Sequence, residues 1–175
     1  FEDYVAPSLL QVPGALDVAL EFNSLSKAYN MAGWRVGMAV GNAAAVQTLA
    51  RTKTNVDSGI FLAIQDASIE ALTGDQDWLK GRNEIYRERR DLILAGLREV
   101  GMRARKSQAS LYIWAETPEG HTSEAFATRL LEEAGISIAS GTAFGQHGEG
   151  YLRISLGMST ERVREALVRL KAFSF

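Results

Sequence analysis

The sequence has no cysteine, only two histidines and three prolines. Without cysteine there can be no disulfide, no thiolate nucleophile and no zinc site of the CxxC kind. His121 and His147 stand far apart with no carboxylate at metal-ligand spacing, so no metal site is assigned. No apolar run approaches the ~20 residues that cross a bilayer, and nothing resembles a signal peptide, which makes the cytoplasm the default location. An excess of one charge is also missing: 19 basic against 21 acidic residues leave a net charge of -2. That balance argues against nucleic-acid or membrane-surface partners. No serine has the setting of a nucleophile elbow, and the phosphate-loop order GxxxxGK[ST] is absent. The rest is ordinary for a soluble globular protein, 46% hydrophobic and 23% charged, in a chain long enough for one medium domain or parts of two. It begins at Phe1 and runs directly into FEDYVAPSLL with no helix or strand of its own before it, the expected start of a fragment.

The first quarter alternates like an α/β layer. VALEF (18–22) and WRVGMAV (34–40) read as strands, and Asn42 can cap a helix over about 43–52 with Val46 and Leu49 on one face. The polar stretch TKTNVDSG reads as a loop with Ser58 as a cap, leading to a helix over 61–72 that Gly74 closes. A long helix is expected from Gln76 to about Val100, its apolar stripe carried by Leu79, Tyr86, Ile93 and Val100, with the run ERRD on the solvated face. Beyond Gly101 the texture becomes α+β. LYIWA is a strand, Thr122 or Ser123 caps a helix that ends at Gly135, and ISIA and YLRISL are strands around a glycine-rich loop. Ser159 or Thr160 caps a last helix. Tyr112 and Trp114, alternating with apolar neighbours, read as core aromatics.

The stretch NSLSKAYNMAGWRVG concentrates chemistry. Ser24, Ser26 and Lys27 fall in the turn after a strand, and Arg35 opens the next one. Hydroxyls and a planar guanidinium suit a phosphate dianion, and a neighbouring amine can form a Schiff base with an aldehyde. Two solvated cations beside a turn are the plain alternative. Near the other end, Arg153 in YLRISL could grip a carboxylate or belong to an internal ion pair.

Residue by residue, Ser24, Ser26, Lys27, Gly33, Arg35 and Gly37 resemble the cofactor-lysine signature of fold type I pyridoxal-phosphate enzymes, specifically the class I/II aminotransferases of the diaminopimelate or alanine type. HGEGYLRISLG, KTNVDSGIFLAIQDA and LLEEAGISIASGTAFG are similar to further segments of that family, so the resemblance covers essentially the whole chain. It implies that pyridoxal 5'-phosphate is the cofactor and that Lys27 carries it as a Schiff base and shuttles a proton. It also implies that Ser24, Ser26 and Arg35 hold the phosphate and that Arg153 binds the substrate α-carboxylate. Asn55 becomes a candidate contact to the partner subunit's site in a homodimer, and Tyr29 either lines the pocket or packs.

The resemblance places this chain in the C-terminal half of such an enzyme. Residues 1–75 would be the tail of a large α/β domain with a mostly parallel sheet, 76–100 an interdomain helix, and 101–175 a small α+β domain. The residues expected to stack on the cofactor ring and bond its nitrogen would lie upstream, leaving the fragment inactive alone. The implied activity is transamination between an amino acid and a 2-oxo acid. A lyase or decarboxylase on the same fold, and the aminotransferase-like sensor domain of a transcriptional regulator, are the alternatives.

Overall fold

The computed structural model describes all 175 residues and divides into two compact units, Val5–Gln76 and a second made of Phe1–Tyr4 with Asp77–Phe175. The first unit opens with a 3-10 turn at Leu9–Gln11 and a short helix α1 (Ala15–Val18). Strands β1 (Leu20–Ser24) and β2 (Gly37–Gly41) pair antiparallel, with Ser24 opposite Gly37 and Leu20 opposite Gly41. The mostly parallel sheet expected here is not formed by these residues, since every strand pairing in the chain is antiparallel. A parallel pair needs a crossover that carries the chain back along the sheet, usually a full helix. The connection over 25–36 holds only the one-turn helix α2 (Leu25–Ala28) and a 3-10 turn at Ala32–Trp34, and it reverses the chain.

Helix α3 (Ala43–Val56) starts where expected, with Asn42 accepting from the Ala45 N–H, but runs a turn further than the pattern indicated. Asn55 is therefore helical rather than in a loop, and α4 (Leu62–Thr73) is preceded by Phe61, not capped by Ser58. Three threonines of α3 return their hydroxyls to carbonyls of the preceding turn, which satisfies those hydroxyls within the helix. The core of this unit is small: Leu25, Met31 and Val36 are buried, with Met38, Ile60 and Ile64 around them. No residue of α3 is buried, and Val18, Val56, Phe61 and Leu62 are exposed. A two-stranded ladder with so little covered on its faces is not a self-sufficient fold.

The second unit has a full core. Helix α5 (Trp78–Glu99) lays Ile93 and Leu97 against a three-stranded sheet of order β3-β5-β4, made of Tyr112–Glu116, Tyr151–Ser155 and Ala139–Ser140. Helices α6 (Ser123–Ala134) and α7 (Thr160–Ala172) add Phe126, Leu130, Val163 and Leu170 to the same cluster. Their caps are Thr122 and Ser159, and Gly135 closes α6 in the left-handed region. ISIA gives only the two-residue β4, because the chain turns at once into 3-10 turns over Gly141–Phe144 and Gln146–Gly148.

One expectation for α5 fails. In the ERRD run Arg90 is 0% exposed. Phe1 and Glu2 fold onto it: Glu2 pairs with its guanidinium, the Phe1 ring lies 4.8 Å from it, and Arg90 Nη1 donates to the Ser107 carbonyl at 2.8 Å. Helical spacing puts residue 90 on the face of Tyr86, Ile93 and Leu97, so its charge is buried with partners and not solvated. The Arg90 and Lys106 hydrogen bonds hold the Glu2 carboxyl down at about 2 against its ordinary 4.5. No helix is long and apolar enough to cross a membrane.

Candidate functional site

Four of the singled-out residues meet at one end of the β1–β2 hairpin. Ser24 ends β1 and caps α2, its hydroxyl oxygen accepting from the Ser26 N–H at 3.2 Å and keeping its own proton to donate. Ser26 and Lys27 follow on α2, and Lys27 is exposed and in no ion pair. Arg35 stands two residues before Gly37, the strand partner of Ser24, and the next residue, Val36, accepts from the Leu25 N–H at 3.3 Å. The buried side chains of Leu25, Met31 and Val36 pin this turn from beneath. A Cβ on Gly37 would come within 2.8 Å of the Asn23 carbonyl, which accounts for the glycine where β2 begins.

Arg35 does not open the strand as expected. It lies ahead of β2 in the left-handed region, at φ 54° and ψ 44°. Side chains other than glycine pay about 1–2 kcal/mol for that backbone, and such strain gathers at functional positions. Its Nη1 donates to the Ala32 carbonyl at 2.9 Å, and no carboxylate pairs with it. The four side chains thus present hydroxyls, an amine and a guanidinium with no acid among them, a donor set that attracts an anion.

Asn55 stands on a separate element, the last turn of α3, where its Nδ2 donates to the Arg51 carbonyl at 2.6 Å; no hydrogen bond links it to the other four. Tyr29 packs on the Leu25 cluster and its hydroxyl donates to Gln76 at 3.1 Å.

Arg153 belongs to the second unit, on the central strand β5, opposite Trp114 on one side and Ala139 on the other. Strand alternation sends Ile113, Ala115 and Leu152 into the core and sets Tyr112, Trp114, Tyr151 and Arg153 on the opposite face. Tyr112 and Trp114 are therefore not core aromatics, and Trp114 is 37% exposed. Arg153 has no ion pair. Its guanidinium carbon instead lies over two rings, 4.2 Å from the Tyr112 centroid and 4.1 Å from that of Phe144. Trp114 stacks on Tyr151 at 5.6 Å and meets Phe144 edge-on at 6.0 Å.

The loop that delivers Phe144 is held by groups with no distinctive sequence signal. The Glu149 carboxylate accepts from the Ser123 N–H at 2.8 Å, the Ser123 hydroxyl at 3.1 Å and the Gly150 N–H at 3.0 Å. The buried Ser123 hydroxyl in turn accepts from the Gly150 and Tyr151 N–H groups. These bonds, the Ser123 N–H foremost, hold the Glu149 carboxyl below its ordinary range.

The family model for aminotransferase class I and II matches residues 3–170. The chain belongs to the class I and II aminotransferases. This aminotransferase chain is 51% identical over 170 residues to the LL-diaminopimelate aminotransferase of Halothermothrix orenii, covering 97% of itself and 44% of that protein. It is 52% identical over 169 residues to the protein of the same name from Nitratidesulfovibrio vulgaris strain DP4, again covering 97% of itself and 44% of the relative. Among solved structures it is similar to an aminotransferase from Staphylococcus aureus, with a TM-score of 0.91, 40% identity, and 97% and 45% of the two chains covered. Substrate-bound BacF from Bacillus subtilis gives a TM-score of 0.93 at 35% identity, with 99% and 44% covered. The aminotransferase chain thus spans rather less than half the length of these relatives.

Proposed function

We propose that this chain is the C-terminal part of a pyridoxal-phosphate-dependent aminotransferase that moves an amino group between an amino acid and a 2-oxo acid. The carrying observation is Lys27, an exposed amine without an ion pair. It shares one hairpin end with Ser24, Ser26 and the strained Arg35, in a chain of the aminotransferase family. This donor set fits a ligand with a phosphate and an aldehyde. Arg35 and the two serines hold the phosphate, the guanidinium bidentately. Lys27 holds the aldehyde carbon and, once free, moves a proton at the substrate Cα. Arg153 orients the substrate by its α-carboxylate. The cofactor, when bound, supplies the electron sink that makes that Cα proton acidic.

Residues 1–75 are assigned to the tail of the cofactor domain, 76–100 to an interdomain helix and 101–175 to the small domain. The poorly covered first unit supports a place within a longer protein, where other residues would cover Val18, Phe61 and Leu62. A homodimer belongs to this reading, with Asn55 reaching the partner subunit's phosphate site. The names of the relatives favour LL-diaminopimelate as the amino-acid substrate.

The test is borohydride reduction of the intact protein that contains this chain, followed by peptide mass mapping. A pyridoxyl increment on the Lys27 peptide is expected, and Lys27→Ala should lose both the cofactor absorbance and at least about a hundredfold in transamination. A Lys27→Ala protein working at the parental rate would sink the assignment.

A further inference from the structure

Arg153 is held in a way that the carboxylate role alone does not require. Neither an acid nor a carbonyl is bonded to its guanidinium; the Tyr112 and Phe144 rings are the groups against it, at 4.2 and 4.1 Å. A cation meets a ring through the electron-rich ring face, whereas guanidinium N–H groups bond within their own plane. Ring contact therefore restrains this side chain without using any of its five donors. An arginine fixed by an ion pair would have to surrender that pair before gripping a ligand. One left free in water would lose rotamer entropy on binding.

Both rings are carried by hydrogen-bonded backbone, although Phe144 is half exposed. Tyr112 is set by the β3–β5 ladder, opposite Ser155. Phe144 ends a 3-10 turn that Ser140 caps, and its ring is braced edge-on by Trp114.

We propose that Tyr112 and Phe144 are positioning residues that clamp the Arg153 guanidinium between their rings, leaving its N–H edge ready for the carboxylate of an amino or 2-oxo acid. This rests on the assignment of Arg153 to the substrate carboxylate, and the experiment separates the two. In the intact enzyme, KM and kcat are measured for an amino acid and its 2-oxo acid, and kcat/KM for an amine of the same skeleton lacking the carboxylate. Tyr112→Leu and Phe144→Leu should each raise KM for the acids roughly two- to fivefold, the size of one partly exposed cation–ring contact. The values of kcat and of kcat/KM for the amine should stay parental, and Tyr112→Phe, which keeps the ring, should restore KM. If Arg153→Gln raises KM steeply while both leucine variants match the parent, the ring clamp is refuted and the carboxylate assignment survives. If the leucine variants slow the amine as much as the acids, the rings are merely structural and the clamp is again refuted. If Arg153→Gln itself leaves KM unchanged, the carboxylate assignment falls, and the clamp with it.

Discussion

Gly141 and Gly148 are buried and touch backbone to backbone within the loop that carries Phe144. A Cβ placed on Gly148 would lie 1.9 Å from the Gly141 carbonyl oxygen and 2.3 Å from its carbon, and one on Gly141 would lie 2.1 Å from the Gly148 oxygen. Carbon and oxygen in close contact stay about 3.3 Å apart, so Gly148→Ala must drive the two segments apart by more than an ångström. The obstacle is main chain, and no rotamer relieves it. Overpacking of this kind costs about 1–3 kcal/mol. For a unit near 100 residues each kcal/mol lowers the melting temperature by roughly 4–8 °C, so the transition of the second unit should fall by roughly 4–24 °C. Gly81→Ala is the counterpart: its Cβ would meet nothing within 4 Å in the first turns of α5, and it should stabilise by about 0.5–1 kcal/mol. Thermal unfolding of both variants, followed by near-ultraviolet circular dichroism, gives the comparison. Gly148→Ala melting at the parental temperature would show that the loop does not close on itself as described.

Phe126 is 0% exposed and meets the rings of Phe173 and Phe175 edge-on, so Phe126→Ala should cost about 3–5 kcal/mol, read from urea midpoints. Glu2, held at about 2, stabilises the fold fully above pH 4.5 and loses that contribution as the pH falls toward 2. Arg90→Met removes the main cause, so the variant should be weaker at pH 7 and show a smaller further loss between pH 5 and 3; an unchanged pH slope would count against the pairing. Arg35→Lys keeps the charge but not the fork, and should weaken pyridoxal-phosphate binding by the intact protein about tenfold in an absorbance titration.

Much of this was legible in the sequence because local rules decided it. Asn42, Thr122, Ser159 and Gly135 sit at helix ends where their side chains or backbone satisfy otherwise orphaned groups. The SLSK turn is similarly local: Ser24 both ends β1 and caps α2. What escaped was set by partners distant in the chain. Arg90 reads as solvated within ERRD until Glu2 is known to lie against it. Tyr112 and Trp114 read as core until the pairing with β5 shows which face Ile113 and Ala115 have taken. Phe144 has no periodic pattern around it, and only the fold brings it over Arg153. The left-handed backbone of Arg35 is equally silent in sequence, because an arginine gives no sign of it where a glycine or asparagine would.

The strap Phe1–Tyr4 belongs to the same compact unit as Asp77–Phe175, while everything between them belongs to another. A chain emerging residue by residue therefore exports the strap long before its seat exists, since Glu2 must find Arg90 across 88 positions. Until then Arg90 has no paired carboxylate beyond Asp91 and waits as an uncovered cation on an otherwise apolar stripe. Docking of the strap is consequently a late, long-range event whose closure entropy grows with the logarithm of the excursion, and it can seal the unit only after the intervening residues have been made.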